Sequence, residues 1–145
     1  MGYTHYWKFE TPFSDMELEL FTRCARAVIR DQIKILGNGW GDDDSLPLLT
    51  ADELSLNGLG DDAHETFFIE FAAPGSGFCK TSLKPYDKVV VALLIIAESV
   101  KHDFSWRSDG NTALHRKGAR LALKVGRNAL DPRGLEVAEI FAATN

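Results

Sequence analysis

The 145-residue chain has only two cysteines, Cys24 and Cys79, and neither belongs to a Cys-x-x-Cys pair. Nothing in that pattern demands a disulfide, and free thiols in a reducing cytoplasm are expected. Positive charge is also short: 16 Lys and Arg stand against 21 Asp and Glu, for a formal net charge of −5 with neutral His. A dominant contact with a phosphate backbone is therefore not expected, because such contacts need concentrated positive charge. The longest apolar run is nine residues, Val89 to Ala97, about half of what a membrane span needs. The opening MGYTHYWKF has no basic region, apolar stretch or small-residue cleavage site of a signal peptide. Repeats, low-complexity tracts and Pro- or Ser-rich linkers are absent. The expectation is one globular domain over 1–145, cytoplasmic, with no membrane contact.

Hydrophobic periodicity gives an alternating order of elements. Gly2 to Glu10 alternates as a strand, with Tyr3, His5, Trp7 and Phe9 on the face expected to meet the core. Ser14 with Glu17 three residues later forms a capping box, and Phe13 with Leu18 a hydrophobic staple. The helix they open is predicted to run to about Leu36, burying Leu18, Phe21, Ala25, Val28 and Ile29 and turning Arg23, Arg26, Arg30 and Lys34 outward. Gly37-Asn38-Gly39 stops it. A weaker strand falls within 46–59 and a clear one over Glu65–Phe71, with Ala73 to Gly77 as a loop. Pro85 to Lys101 is ambiguous locally, since three valines favour a strand. Its length without a turn signal and its early proline favour a helix buried on much of its circumference. A short strand at Phe104–Arg107 and an amphipathic helix over Leu114–Leu130 follow. Asp131-Pro132 then opens a last helix. The sum is an α+β chain of ferredoxin-like βαββαβ order with additional C-terminal helices; another small α+β sandwich is the alternative.

Charge is unevenly distributed. Gly41 to Cys79 contains no Lys or Arg but nine acids, among them Asp42, Asp43, Asp44, Asp52, Asp61 and Asp62. One reading is a pair of solvated loops; the sharper one is a negative face that meets a basic partner. Trp40, beside this acidic loop, is then an anchor for a protein contact. The spacing does not fit an EF-hand, because Leu46 and Pro47 fall where a ligand and the turn glycine belong. The basic helix face of Arg116, Arg120, Lys124 and Arg127 admits a nucleic-acid reading, although no aromatics interleave with it.

No complete catalytic motif is present: the chain lacks GxxxxGK[ST], HExxH and GxSxG, and Gly37 to Gly41 follows a helix where a dinucleotide fingerprint follows a strand. His5, His64, His102 and His115 lie far apart in no local metal pattern, so no metal and no cofactor is assigned. Cys79, just before a helix and beside Lys80 and Lys84, is the candidate nucleophile, with His5 as base and Asp109 as orienting carboxylate. The competing reading makes Cys79 a buried thiol and His5 a core histidine with hydrogen-bonded ring nitrogens. Tyr6, Lys80, Thr81 and Ser108 are candidates for binding a small anionic or sugar-like ligand.

Three segments also carry a resemblance: MGYTHYW at the start, FCKT-x-x-x-PYD-x-VV over 78–90, and SDG over 108–110. They are similar to a group of small uncharacterised proteins encoded by bacteria, prophages and phages, over most of the chain and in the same order. The resemblance implies a phage or mobile-element context without a mechanism, and a shared surface of Thr4, His5, Tyr6, Cys79, Lys80, Thr81, Tyr86, Asp87, Ser108 and Asp109. Three functions follow as expectations. The first is a protein-binding module that inhibits a host protein with a basic surface, such as a component of antiviral defence. The second is a small Cys/His-dependent enzyme or ligand-binding domain. The third is nucleic-acid binding through the basic helix faces. The sequence assigns no oligomeric state.

Overall fold

The computed structural model describes residues 3–39, 45–110 and 112–126. The first strand, β1 (Thr4–Phe9), is followed by helix α1 (Asp15–Asp31). Both halves of the capping box form: the Glu17 amide donates to Ser14 Oγ at 3.1 Å, and the Ser14 amide to Glu17 Oε1 at 2.9 Å. The α-helix ends sooner than its apolar stripe suggests. The Gln32 amide is shared between the carbonyls of Val28 and Ile29, and the chain tightens into a 3-10 turn over Ile33–Ile35.

Two short strands, β2 (Leu48–Leu49) and β3 (Glu53–Leu56), occupy the weakly patterned region, followed by β4 (Phe67–Glu70). These three form one antiparallel sheet in the order β2-β3-β4. Next comes a strand where a loop was expected: β5 (Gly75–Lys80) includes Gly75 and Gly77. Gly77 is accommodated because it lies over the Trp7 indole, where a Cβ would fall 2.6 Å from a ring carbon. Helix α2 (Asp87–Val100) settles the ambiguity of its segment, and Val89 to Ala97 are all buried. Then follow β6 (Ser105–Ser108), a 3-10 turn over Thr112–His115, and α3 (Arg116–Gly126). The Asp131-Pro132 helix lies outside the described residues.

The second sheet is antiparallel in the order β5-β1-β6. The architecture is therefore mixed α+β, with two small antiparallel sheets and three α-helices among the described residues. Trp7, Phe9 and Cys79 from the β5-β1-β6 sheet join α2 and the apolar faces of α1 and α3 in one hydrophobic cluster. Burial of each large side chain there contributes about 1.5–3 kcal/mol. Phe9, Phe13, Phe21 and Phe71 form a chain of ring contacts with centroids 5.2–5.8 Å apart.

The core also accommodates a charge that hydropathy does not disclose. Lys101 is buried, yet its ammonium donates to Thr11 Oγ1 at 2.9 Å and to the Pro12 carbonyl at 3.1 Å, and pairs with Glu17 and Asp103. Burial alone would raise the Asp103 carboxyl. Hydrogen bonds from Lys101 and from the Thr11 hydroxyl and amide outweigh it and hold the group well below the usual carboxylate range.

Candidate functional site

Register on the central strand β1 sorts side chains onto two faces. His5 lies opposite Cys79 on one side and Ser108 on the other, whereas Tyr6 lies between Phe78 and Arg107. Cross-strand partners share a face and neighbours along a strand alternate. The first group therefore points inward and the second outward.

Inward, His5 is fully buried and both ring nitrogens are engaged. Nδ1 lies 2.5 Å from Ser108 Oγ, and Nε2 lies 2.6 Å from Asp87 Oδ1. Thr81 Oγ1 donates to the same carboxylate oxygen at 2.5 Å. A carboxylate can only accept, so Nε2 carries a proton, and in the neutral imidazole Nδ1 then accepts from the Ser108 hydroxyl. Ser108 is half-buried and ends a hydroxyl–imidazole–carboxylate relay. Tyr3 packs edge-on against His5 with ring centroids 4.9 Å apart. Its hydroxyl is buried and makes no hydrogen bond of normal geometry among the described residues, although Ser108 is near enough to act on it. Burial, then the Asp87 charge, raises the Tyr3 pKa well above the usual phenol range. His115 lies 6.2 Å from His5 between ring centroids; burial and then the His5 charge lower its pKa to about 4.

The segment between β5 and α2 holds Thr81 and Asp87 in place. Ser82 and Leu83 adopt left-handed backbone with φ of 51° and 58°, a conformation that costs about 1–2 kcal/mol for each such residue. The Thr81 and Ser82 amides both donate to the Tyr3 carbonyl, and the Lys84 amide donates to the Thr81 carbonyl. Gly110 completes the enclosure, since a Cβ there would fall 2.1 Å from a Tyr3 ring carbon.

Cys79 does not join the relay. Its buried thiol donates to the Glu65 carbonyl at 3.3 Å and lies 4.0 Å from the Tyr86 hydroxyl. Burial pushes its pKa up to about 12, opposite to the direction a thiolate nucleophile needs. Asp109 sits on the outer side, accepting from the Tyr6 hydroxyl at 3.4 Å. The structure thus brings His5 to Ser108, Thr81 and Asp87, while Cys79 and Asp109 have other partners. Asp87 is the participant that the local pattern missed, since 82 residues separate it from His5. Its only signal was membership in the PYD segment.

Outward, Phe78, Tyr6 and Arg107 form a row across all three strands. The Arg107 guanidinium lies 4.2 Å from the Tyr6 ring centroid, and Phe78 is 64% exposed. An open cleft of about 900 Å³ runs along this face. Phe68 adds aromatic surface, Lys8 a second cation, and Thr66, Ser76 and Ser105 hydroxyls, while Trp7 and Trp106, which also border the cleft, have the inward parity of His5; no carboxylate lines the cleft among the described residues. Lys80 shares the outward parity of Phe78 on β5.

The remaining candidates are dispersed. Lys124 pairs with Asp31 of α1 at 3.2 Å, Arg120 is exposed, and Arg116 is half-buried. Asp52, Asp61 and Asp62 are exposed on turns flanking the β2-β3-β4 sheet, where Glu53 and Glu70 face each other across β3 and β4. Trp40, Asp42, Asp43, Asp44 and Arg127 lie outside the described residues. Among the described residues, no three His, Cys, Asp or Glu side chains gather as a metal-binding group, and no helix is long and apolar enough to cross a membrane. Comparison with protein-family models, curated proteins and solved structures gives no match.

Proposed function

We propose that this chain is a protein-binding module whose contact surface is the outer face of the β5-β1-β6 sheet. The observation that carries the reading is the Phe78–Tyr6–Arg107 row beside the open cleft. Exposed aromatic and arginine side chains clustered around a concavity have the composition of an interface anchor. The cleft suits a partner segment that inserts an apolar side chain and presents a carboxylate to Arg107 or Lys8. Among the described residues only these two cations line it, and the whole chain carries −5. That balance favours a protein over a phosphate backbone, which needs a continuous cationic track.

The resemblance supplies the biological setting of the proposal. A phage or prophage protein of this kind would bind a bacterial host protein, with inhibition of a defence component as the consequence. The acidic segment, including Asp42, Asp43 and Asp44, would steer a basic region of the same partner. In fold terms, we read β1-α1-β3-β4-α2-β6 as a ferredoxin-like chain order to which β2 and β5 are added. Pairing departs from a single four-stranded sheet because, among the described residues, β4 pairs in the order β2-β3-β4 and not with the β5-β1-β6 sheet.

The test is affinity capture from a bacterial host lysate by wild type, Phe78→Ala, Arg107→Glu and, as a control on α1, Glu19→Ala. The expected result is one stoichiometric protein partner lost with the first two variants and kept with the third. A partner retained by all three variants would remove the cleft from the interface. Salt-sensitive binding of single-stranded oligonucleotides, lost in the same two variants, would replace a protein partner with nucleic acid.

A further inference from the structure

The inner face of the sheet carries chemistry that docking at its outer face does not use. We propose that Ser108, His5 and Tyr3 form an acyl-transfer site for a small carboxylic ester, with Asp87 and Thr81 as positioning residues. The geometry supplies each role separately. Ser108 Oγ lies 2.5 Å from His5 Nδ1, within reach for proton transfer, and it is the half-exposed member of the group. Asp87, 2.6 Å from Nε2 and held by Thr81, fixes the tautomer that leaves Nδ1 free to act as base. The buried Tyr3 hydroxyl is a donor without an acceptor of normal geometry among the described residues, and Ser108 is its neighbour. A donor so placed is suited to a developing oxyanion.

In the first step, Ser108 Oγ bonds to the ester carbonyl carbon while its proton passes to His5 Nδ1. The carbonyl oxygen takes the negative charge and accepts a hydrogen bond from Tyr3. Collapse breaks the bond to the alkoxy oxygen, which leaves as an alcohol with the proton from Nδ1. Water then gives a proton to Nδ1 as its oxygen bonds to the acyl carbon. Ser108 Oγ departs, recovers the proton, and the carboxylic acid is released. The scheme needs no oxidant, reductant or further reactant.

A fluorophosphonate probe read by intact mass and peptide mapping tests the nucleophile, and hydrolysis of p-nitrophenyl acetate tests turnover. Wild type should acquire one adduct on Ser108, and Ser108→Ala none. Asp87→Asn should label at least about a hundredfold more slowly. Tyr3→Phe removes an oxygen that makes no hydrogen bond of normal geometry, so a purely structural role predicts unchanged hydrolysis. The proposal predicts a loss of about a hundredfold or more, and this variant decides the matter if Asp87→Asn does not fold. Glu19→Ala on α1, outside both faces of the sheet, should label at the wild-type rate. Folded wild type with no adduct, an adduct elsewhere, or unchanged hydrolysis by Tyr3→Phe would overturn the proposal.

Discussion

The two faces of the β5-β1-β6 sheet are built from alternate residues of the same three strands, yet they follow opposite rules. On the inner face, His5, Thr81 and Asp87 are buried and joined by short hydrogen bonds, so each of these three has a partner chosen for it. On the outer face, Tyr6 and Arg107 touch each other, while Phe78 lies largely in solvent beside a cleft. Burial makes a missing partner costly on one side; exposure leaves the other side free to serve a second molecule. Neighbouring positions such as His5 and Tyr6 should therefore differ sharply in what their replacement does.

The largest effect should come from Asp87→Ala. It removes the acceptor of both His5 and Thr81, and breaking a buried pair in this way costs about 3–5 kcal/mol. Urea unfolding should report it, and a loss below about 1 kcal/mol would show that the relay contributes little to the fold. Acid should probe the same region through His115. Its pKa is lowered from 6.5 to about 4 by burial first and the His5 charge second, so the unfolded chain binds the additional proton between those values. This contribution is intact above pH 6.5 and falls away as pH drops towards about 4, by up to about 3 kcal/mol. Unfolding midpoints across that window should fall, and His115→Gln should flatten the dependence.

Gly110→Ala comes next. The new Cβ must displace the Tyr3 ring or the Leu114 side chain, an overpacking that costs about 1–3 kcal/mol. Phe78→Ala should have the smallest effect, shifting stability by no more than about 0.5 kcal/mol. Differential scanning calorimetry can compare the two. Equal losses would mean that the faces are not separated in the way their exposure implies.

Much of the frame was legible because its signals are local. Ser14 and Glu17 announce α1, and alternation from Tyr3 to Phe9 assigns the buried face of β1. Length and Pro85 favoured a helix over the Val89–Val91 strand signal. The inward direction of His5 was readable for the same reason, but its partners were not. Asp87 and Ser108 stand 82 and 103 residues away, and only pairing of β1 with β6 and packing of α2 bring them together. The outer row was hidden likewise, since Tyr6, Phe78 and Arg107 become neighbours only through register. β5 escaped notice because glycine usually marks a loop, and the Trp7 indole beneath Gly77 has no local trace. Lys101 shows the same limit: a lone lysine after an apolar helix reads as exposed until Glu17, Asp103 and Thr11 surround it.

The most direct test of the outer face as the contact surface is site-specific photocrosslinking in a bacterial host lysate. A photoreactive phenylalanine would replace Phe78 in one sample and Glu19 of α1 in another. The account predicts one crosslinked protein of defined mass from position 78 and none from position 19. Crosslinking of the same protein from both positions, or from neither, would contradict it.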